Sequence, residues 1–67
     1  MVRLRIKEVA KEKGMSMGKL SRTSDVSYNT IKKIYTDPYY AINIITLDKL
    51  ANALGVPIAE LIEQVPD

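Results

Sequence analysis

The stretch Val26-Ser27-Tyr28-Asn29-Thr30-Ile31-Lys32-Lys33-Ile34-Tyr35 decides how the chain is read. On a helical period it puts Ile31 and Ile34 on one side. Tyr28, Asn29, Lys32 and Lys33 fall on another, because residues four apart stack along a helix face. Ser27 serves as an N-cap, its hydroxyl able to accept an orphan backbone N–H of the first turn. The exposed face carries an amide, a phenol and two ammonium groups, and no carboxylate. Such a surface suits a polyanion with hydrogen-bonding edges in a groove, which marks this helix as the one to enter DNA.

Working outward, Asp25 separates this helix from the one before it, and Asp tolerates the left-handed conformation that tight helix–helix turns often need. The preceding helix is short and poorly favoured. Ser16 caps it, Gly18 costs up to about 1 kcal/mol relative to alanine, and Lys19 sets a positive charge in a first turn that prefers an anion. Simple tertiary support accounts for this; a phosphate at that N-terminus would turn the Lys19 penalty into a gain. Further upstream, Val2, Ile6, Val9 and Ala10 recur at helical spacing, and Gly14 is the stop.

Downstream, Asp37-Pro38 marks a turn in the only long connection. Asn43 caps a helix whose Ile44, Leu47, Leu50, Ala51 and Leu54 form an apolar stripe ended by Gly55. Pro57 opens a last helix that turns Ile58, Leu61 and Ile62 inward. The reading is all-α, one compact domain over 1–67, with five helices at about 3–13, 16–24, 27–35, 44–54 and 57–63 and no strand; Val65-Pro66-Asp67 is expected to fray.

Composition narrows the function. Sixty-seven residues make one small domain, which buries only about 60% of the surface its unfolded chain exposes. Without cysteine or histidine there is no disulfide framework, thiolate chemistry or zinc-finger ligand set. No apolar run approaches the roughly 20 residues of a membrane span, and the basic N-terminus lacks a signal peptide's apolar core. A cytoplasmic location fits. The net charge of +2 hides an asymmetry: residues 1–36 hold nine of the ten Lys/Arg against Glu8, Glu12 and Asp25, giving +6, and residues 37–67 carry −4. One end of the molecule should attract nucleic acid.

The order Ile6, Val9, Gly14-Met15-Ser16, Leu20, Val26-Ser27, Thr30-Ile31, Ile34, Leu47, Leu50-Ala51, Leu54-Gly55-Val56 and Leu61 resembles the phage repressor and Cro-like helix-turn-helix family of transcriptional regulators, the xenobiotic-response-element type. The Val-Ser-x-x-Thr-Ile and Leu-x-x-Leu-Ala-x-Ala-Leu-Gly-Val segments carry most of the likeness, which spans about residues 3–63. The resemblance implies a lambda-repressor-like five-helix domain with the third helix in the major groove and the second helix's first turn on the backbone. Carried over by position, base contacts fall to Tyr28, Asn29 and Lys33, with Lys32 reaching a base edge or a flanking phosphate. Backbone contacts fall to Ser16, Met17 through its N–H, Lys19, Ser27 and Thr30, and to Tyr39, Tyr40 and Asn43 after the helix.

The chain departs from the family pattern at three places. Met17 replaces the usual Gln, which loses a polar contact. Asp25 replaces the turn glycine. Ala10 and Tyr35 stand where many members pair an arginine with a glutamate, a swap that apolar packing can sustain, and Tyr35 is read as core. Of Tyr39 and Tyr40, one is expected packed and one exposed. Met15 and Met17 are expected to fill gaps in the core, and Arg3 and Arg5 to be a solvated, frayed end or an arm reaching phosphate.

The resulting expectation is a sequence-specific, double-stranded DNA-binding transcriptional regulator, a homodimer on a palindromic operator, acting at the nucleoid of a prokaryotic cell or phage-infected host. No enzyme activity, cofactor, metal, small-molecule ligand or membrane partner is expected: no converging carboxylates and no glycine-rich phosphate loop are present. The alternative is a protein-interaction module, antitoxin-like or partner-binding, on the face of helices four and five, with Ile42, Ile45, Ile58 and Val65 as its exposed apolar residues. A fragment of a longer repressor fits the same sequence.

Overall fold

Each helix begins where a short polar side chain can fill an orphan amide. In the computed structural model, which describes residues 1–66, Ser16 Oγ accepts the Lys19 N–H at 3.2 Å and opens α2, Met17–Ser24. Ser27 Oγ accepts the Thr30 N–H at 3.1 Å and opens α3, Tyr28–Thr36. Asn43 Oδ1 accepts the Thr46 N–H at 2.8 Å and opens α4, Ile44–Leu54. The first helix, α1, Ile6–Glu12, has no side-chain cap. Gly14 and Gly55 end α1 and α4 in the left-handed region, at φ 66° and 70°. At each, the next residue's amide reaches back to close the last turn, Met15 N–H to the Ala10 carbonyl and Val56 N–H to the Ala51 carbonyl.

The core sits where these segments converge. Ile6, Leu20, Ile31, Leu50 and Leu61 are the largest fully buried side chains, one from each helix and one from the segment after α4. Burying each contributes about 1.5–3 kcal/mol. The second helix packs chiefly on α4 and α3, and α3 also meets α1, while Tyr28, Asn29, Lys32 and Lys33 of α3 are left to solvent. Among the described residues no helix is long and apolar enough to cross a membrane.

The two ends of the chain depart from the all-helical expectation. The fifth helix is a single 3-10 turn, Ile58–Leu61, followed by a strand. That strand, β2 (Ile62–Gln64), pairs antiparallel with β1 (Val2–Leu4), Val2 opposite Gln64 and Leu4 opposite Ile62. The first helix therefore starts at Ile6, not near residue 3. The cause is a set of fixed backbone partners: Arg5 N–H donates to the Leu61 carbonyl at 2.7 Å and Leu4 N–H to the Pro38 carbonyl at 2.7 Å. These bonds draw both ends out of helical geometry. Leu4 joins the core, whereas Val2 and Ile62 are exposed.

Other expectations change with it. Val65 is not frayed, since its N–H donates to the Met1 carbonyl at 2.9 Å; Asp67 lies outside the described residues. Arg3 is neither an arm nor a loose end. Its guanidinium pairs with Glu8 at 2.7 Å and Glu63 at 3.1 Å, and Arg5 donates to the Glu60 carbonyl at 3.0 Å. In α4, Ile44 is 66% exposed. The buried stripe of that helix starts at Leu47 and leaves Ile44, the first residue of the helix, outside it.

Candidate nucleic-acid interface

The turn between α2 and α3 is fixed by two serines of α2. Ser24 Oγ donates to the Leu20 carbonyl at 2.6 Å and accepts the Val26 N–H at 3.3 Å. Ser21 Oγ donates to the Val26 carbonyl at 2.7 Å. Both backbone groups of Val26 are thereby held, and its side chain is buried. Asp25 adopts φ 60°, ψ 32°, the left-handed conformation expected for the position where the family pattern has glycine. Its N–H closes α2 on the Ser21 carbonyl at 3.0 Å. The angle between the two helices therefore rests on a strained residue and three side-chain hydrogen bonds. Ser21 and Ser24 were not singled out in the sequence, although their spacing, four and one residues before Asp25, signals a braced turn.

With that turn set, α3 presents its polar face. Asn29, Lys32 and Lys33 are exposed and line one open groove with Thr36, Asp37 and Tyr40. Thr36 and Asp37 are additional to the sequence-based residues; each lies one helical turn beyond a lysine, which is the signal that finds them. Asp37 is the carboxylate at the groove's end, and its Oδ1 already accepts the Tyr39 N–H at 3.0 Å. Lys33 Nζ stands over the Tyr40 ring, 5.9 Å from its centroid. Tyr28 is 45% exposed at the start of the helix.

The residues assigned to the DNA backbone fall in four places. Thr30, Tyr40 and Asn43 line a second small concavity together with Ala41, Ile42 and Thr46. Ser16 and Lys19 are exposed at the start of α2, while the Met17 side chain packs against the core. The Met17 N–H precedes the first intrahelical bond of α2, so it is free to donate. Ser27 is exposed, its Oγ 2.8 Å from Thr30 Oγ1. Tyr39 stands apart: it is 50% exposed and lines an apolar groove with Val2, Leu4 and Ile62. Tyr40 packs against the core, so one tyrosine of the pair is packed and one exposed.

Charge is distributed to match. Lys19, Arg22, Lys32 and Lys33 have no ion pair among the described residues. Burial pushes the Glu8 carboxyl up, but its hydrogen bonds to Arg3 and to its own backbone amide, with the charges of Arg3 and Arg5, together outweigh it and hold the group below its ordinary range. Glu8 in turn pushes the Arg3 guanidinium further up. Burial alone raises the Tyr35 phenol, as befits a ring packed against the core. Among the described residues no group of acidic side chains is arranged to hold a metal ion.

Two helices joined through a left-handed residue, the second with an exposed amide and ammonium face, define a helix-turn-helix domain. A family model of the Cro/C1-type HTH DNA-binding domain matches residues 5–67, and the chain belongs to that family. A search of the curated proteins finds no match. The domain is mostly helical, four helices with a short two-stranded sheet, and its family is one of DNA-binding regulators.

Proposed function

We propose that this chain is a transcriptional regulator that reads double-stranded DNA by sequence, with α3 lying in the major groove. The observation that carries the reading is the groove along α3, where Asn29, Lys32 and Lys33 stand together and the lysines have no ion pair among the described residues. Asn29 is suited to adenine N6 and N7, and Lys33 to guanine O6 and N7. Tyr28 is suited to a thymine methyl. Ser16, the Met17 N–H, Lys19, Ser27, Thr30 and Asn43 take phosphate, which sets register and not sequence.

One such domain makes few base contacts, so the operator is a palindrome bound by two copies about one helical turn apart. The exposed Ile44 and Ile45, 66% and 67% accessible at the start of α4, favour an apolar contact with a second copy. The same two side chains are what a partner-binding role on this face would use.

The test is fluorescence anisotropy of a labelled duplex at several salt concentrations, with sedimentation of the protein alone. A log–log salt slope of about −3 or steeper means several phosphates are neutralised and supports the reading. Absence of binding at low salt overturns it.

A further inference from the structure

We propose that Tyr40 determines base specificity by positioning Lys33, its ring holding the Lys33 ammonium on one side of the α3 groove. The inference rests on α3 being the DNA-reading helix. Lys32 and Lys33 are adjacent, equally charged and both exposed, yet only Lys33 has a ring beneath its ammonium, 5.9 Å from the centroid. The ring face is negative and attracts the cation. Lys32 has no ring contact or ion pair among the described residues.

The ring can act as a fixed support because the loop that carries it is fixed. Tyr40 N–H donates to the Asp37 carbonyl at 3.0 Å, Tyr39 N–H donates to Asp37 Oδ1 at 3.0 Å, and Leu4 N–H ties Pro38 to β1 at 2.7 Å. The Tyr40 side chain packs against the core and borders the α3 groove, the concavity at Asn43 and the apolar groove of the ribbon. A lysine alone is a flexible point charge with many rotamers. Held over a ring, Lys33 meets the base edge with less freedom left to lose, and its reach is confined to the groove shared with Asn29. Lys32 keeps its freedom and follows a phosphate. Two neighbouring lysines thus divide the work of reading and gripping.

The experiment joins NMR of the free protein to DNA binding by variants. In the unmutated protein, the ring current displaces the Lys33 ε-methylene protons upfield of those of Lys32. Tyr40→Phe keeps that displacement and Tyr40→Leu abolishes it. On DNA, Tyr40→Leu lowers discrimination at one base pair by about two- to fivefold, the worth of an exposed cation–π contact. Tyr40→Phe leaves discrimination at that base pair unchanged, whatever the lost hydroxyl contributed evenly to affinity. The salt slope is the same in both, and Tyr40→Leu adds nothing at that base pair once Lys33 is alanine.

Lys33 protons that match those of Lys32, in a protein that binds DNA normally, overturn the proposal and spare the DNA reading. So does a Tyr40→Phe variant that keeps the ring shift but loses discrimination at that base pair, since the hydroxyl and not the ring then carries the effect. An unmutated protein with the ring shift but no DNA binding overturns both. The shift and the Phe variant decide the matter even if Tyr40→Leu fails to fold.

Discussion

The helix-turn-helix and the terminal ribbon hold their cations in opposite ways. In α2 and α3, Lys19, Arg22, Lys32 and Lys33 have no acidic partner among the described residues, and the hydrogen bonds that fix the turn come from uncharged serines. In the ribbon, Arg3 is engaged by Glu8 and Glu63 and Arg5 by a backbone carbonyl. The cations of both regions come from the basic half of the sequence, yet only the helix-turn-helix leaves its charge free of the acidic side chains described. A count of basic residues therefore overstates the charge available to DNA; what matters is which cations folding leaves unpaired.

The comparison breaks most visibly if the ribbon is a mere appendage. Leu61, fully buried just before β2, is the test. Leu61→Ala should cost about 2–5 kcal/mol, enough to unfold much of so small a domain. Thermal unfolding followed by circular dichroism should show one transition at a lower temperature, with DNA binding lost in step. A ribbon that melts alone, leaving the helices intact, would separate the two regions.

The charges come next. Lys33→Ala should cost about 1–3 kcal/mol on the preferred sequence and relax selection at one position. Lys32→Ala should weaken binding evenly and reduce the salt slope by about 1. Arg3→Ala should leave that slope unchanged, because its cation is already paired. Equal effects of Arg3 and Lys32 on the slope would erase the distinction between the regions.

A smaller effect tests the turn. Asp25→Ala, which loses the side chain best suited to φ 60° after glycine, should destabilise by about 1 kcal/mol. Asp25→Gly should hold or raise the melting temperature. At Gly18 an added Cβ would meet only the end of the Arg22 side chain, at 3.6 Å. Gly18→Ala should therefore stabilise α2 by up to about 1 kcal/mol.

The smallest effect belongs to the ribbon's ion pairs. Glu8 is held below its ordinary range in the folded protein. Its contribution is thus complete above the unfolded carboxylate pKa and is lost as pH falls through the folded one. Glu8→Gln should flatten the fall in melting temperature below about pH 4.5 while changing it little at neutrality.

Most of the helical frame was legible because its signals are local. Ser16, Ser27 and Asn43 cap as their chemistry predicts, Gly14 and Gly55 stop helices, and Asp25 takes the left-handed turn. The ribbon was not legible. Three-residue strands carry no measurable period, and each strand's partner lies some 60 residues away, as the Arg3–Glu63 contact illustrates. Ile44 was misread for a related reason: periodicity tells which residues share a face, not where the neighbouring surface ends. At the candidate interface, the exposure of Asn29, Lys32 and Lys33 on one face was legible from the helix alone. The Lys33–Tyr40 contact was not, because it depends on how the loop after α3 returns to the core.

The ribbon also says something about the order of events in folding. Because β2 follows all four helices in the chain, β1 waits for its partner until everything between has been laid down. Closing so long a loop adds little entropy beyond that of a shorter one, since each doubling in length costs only about 0.6 kcal/mol. The delay is one of sequence position, not of energy. A ribbon that closes only after the helices have packed would be absent from the transition state, and weakening it would speed unfolding and leave the folding rate nearly unchanged. The pairing of the two ends then governs how long the native state lasts, while the helices govern how fast it is reached.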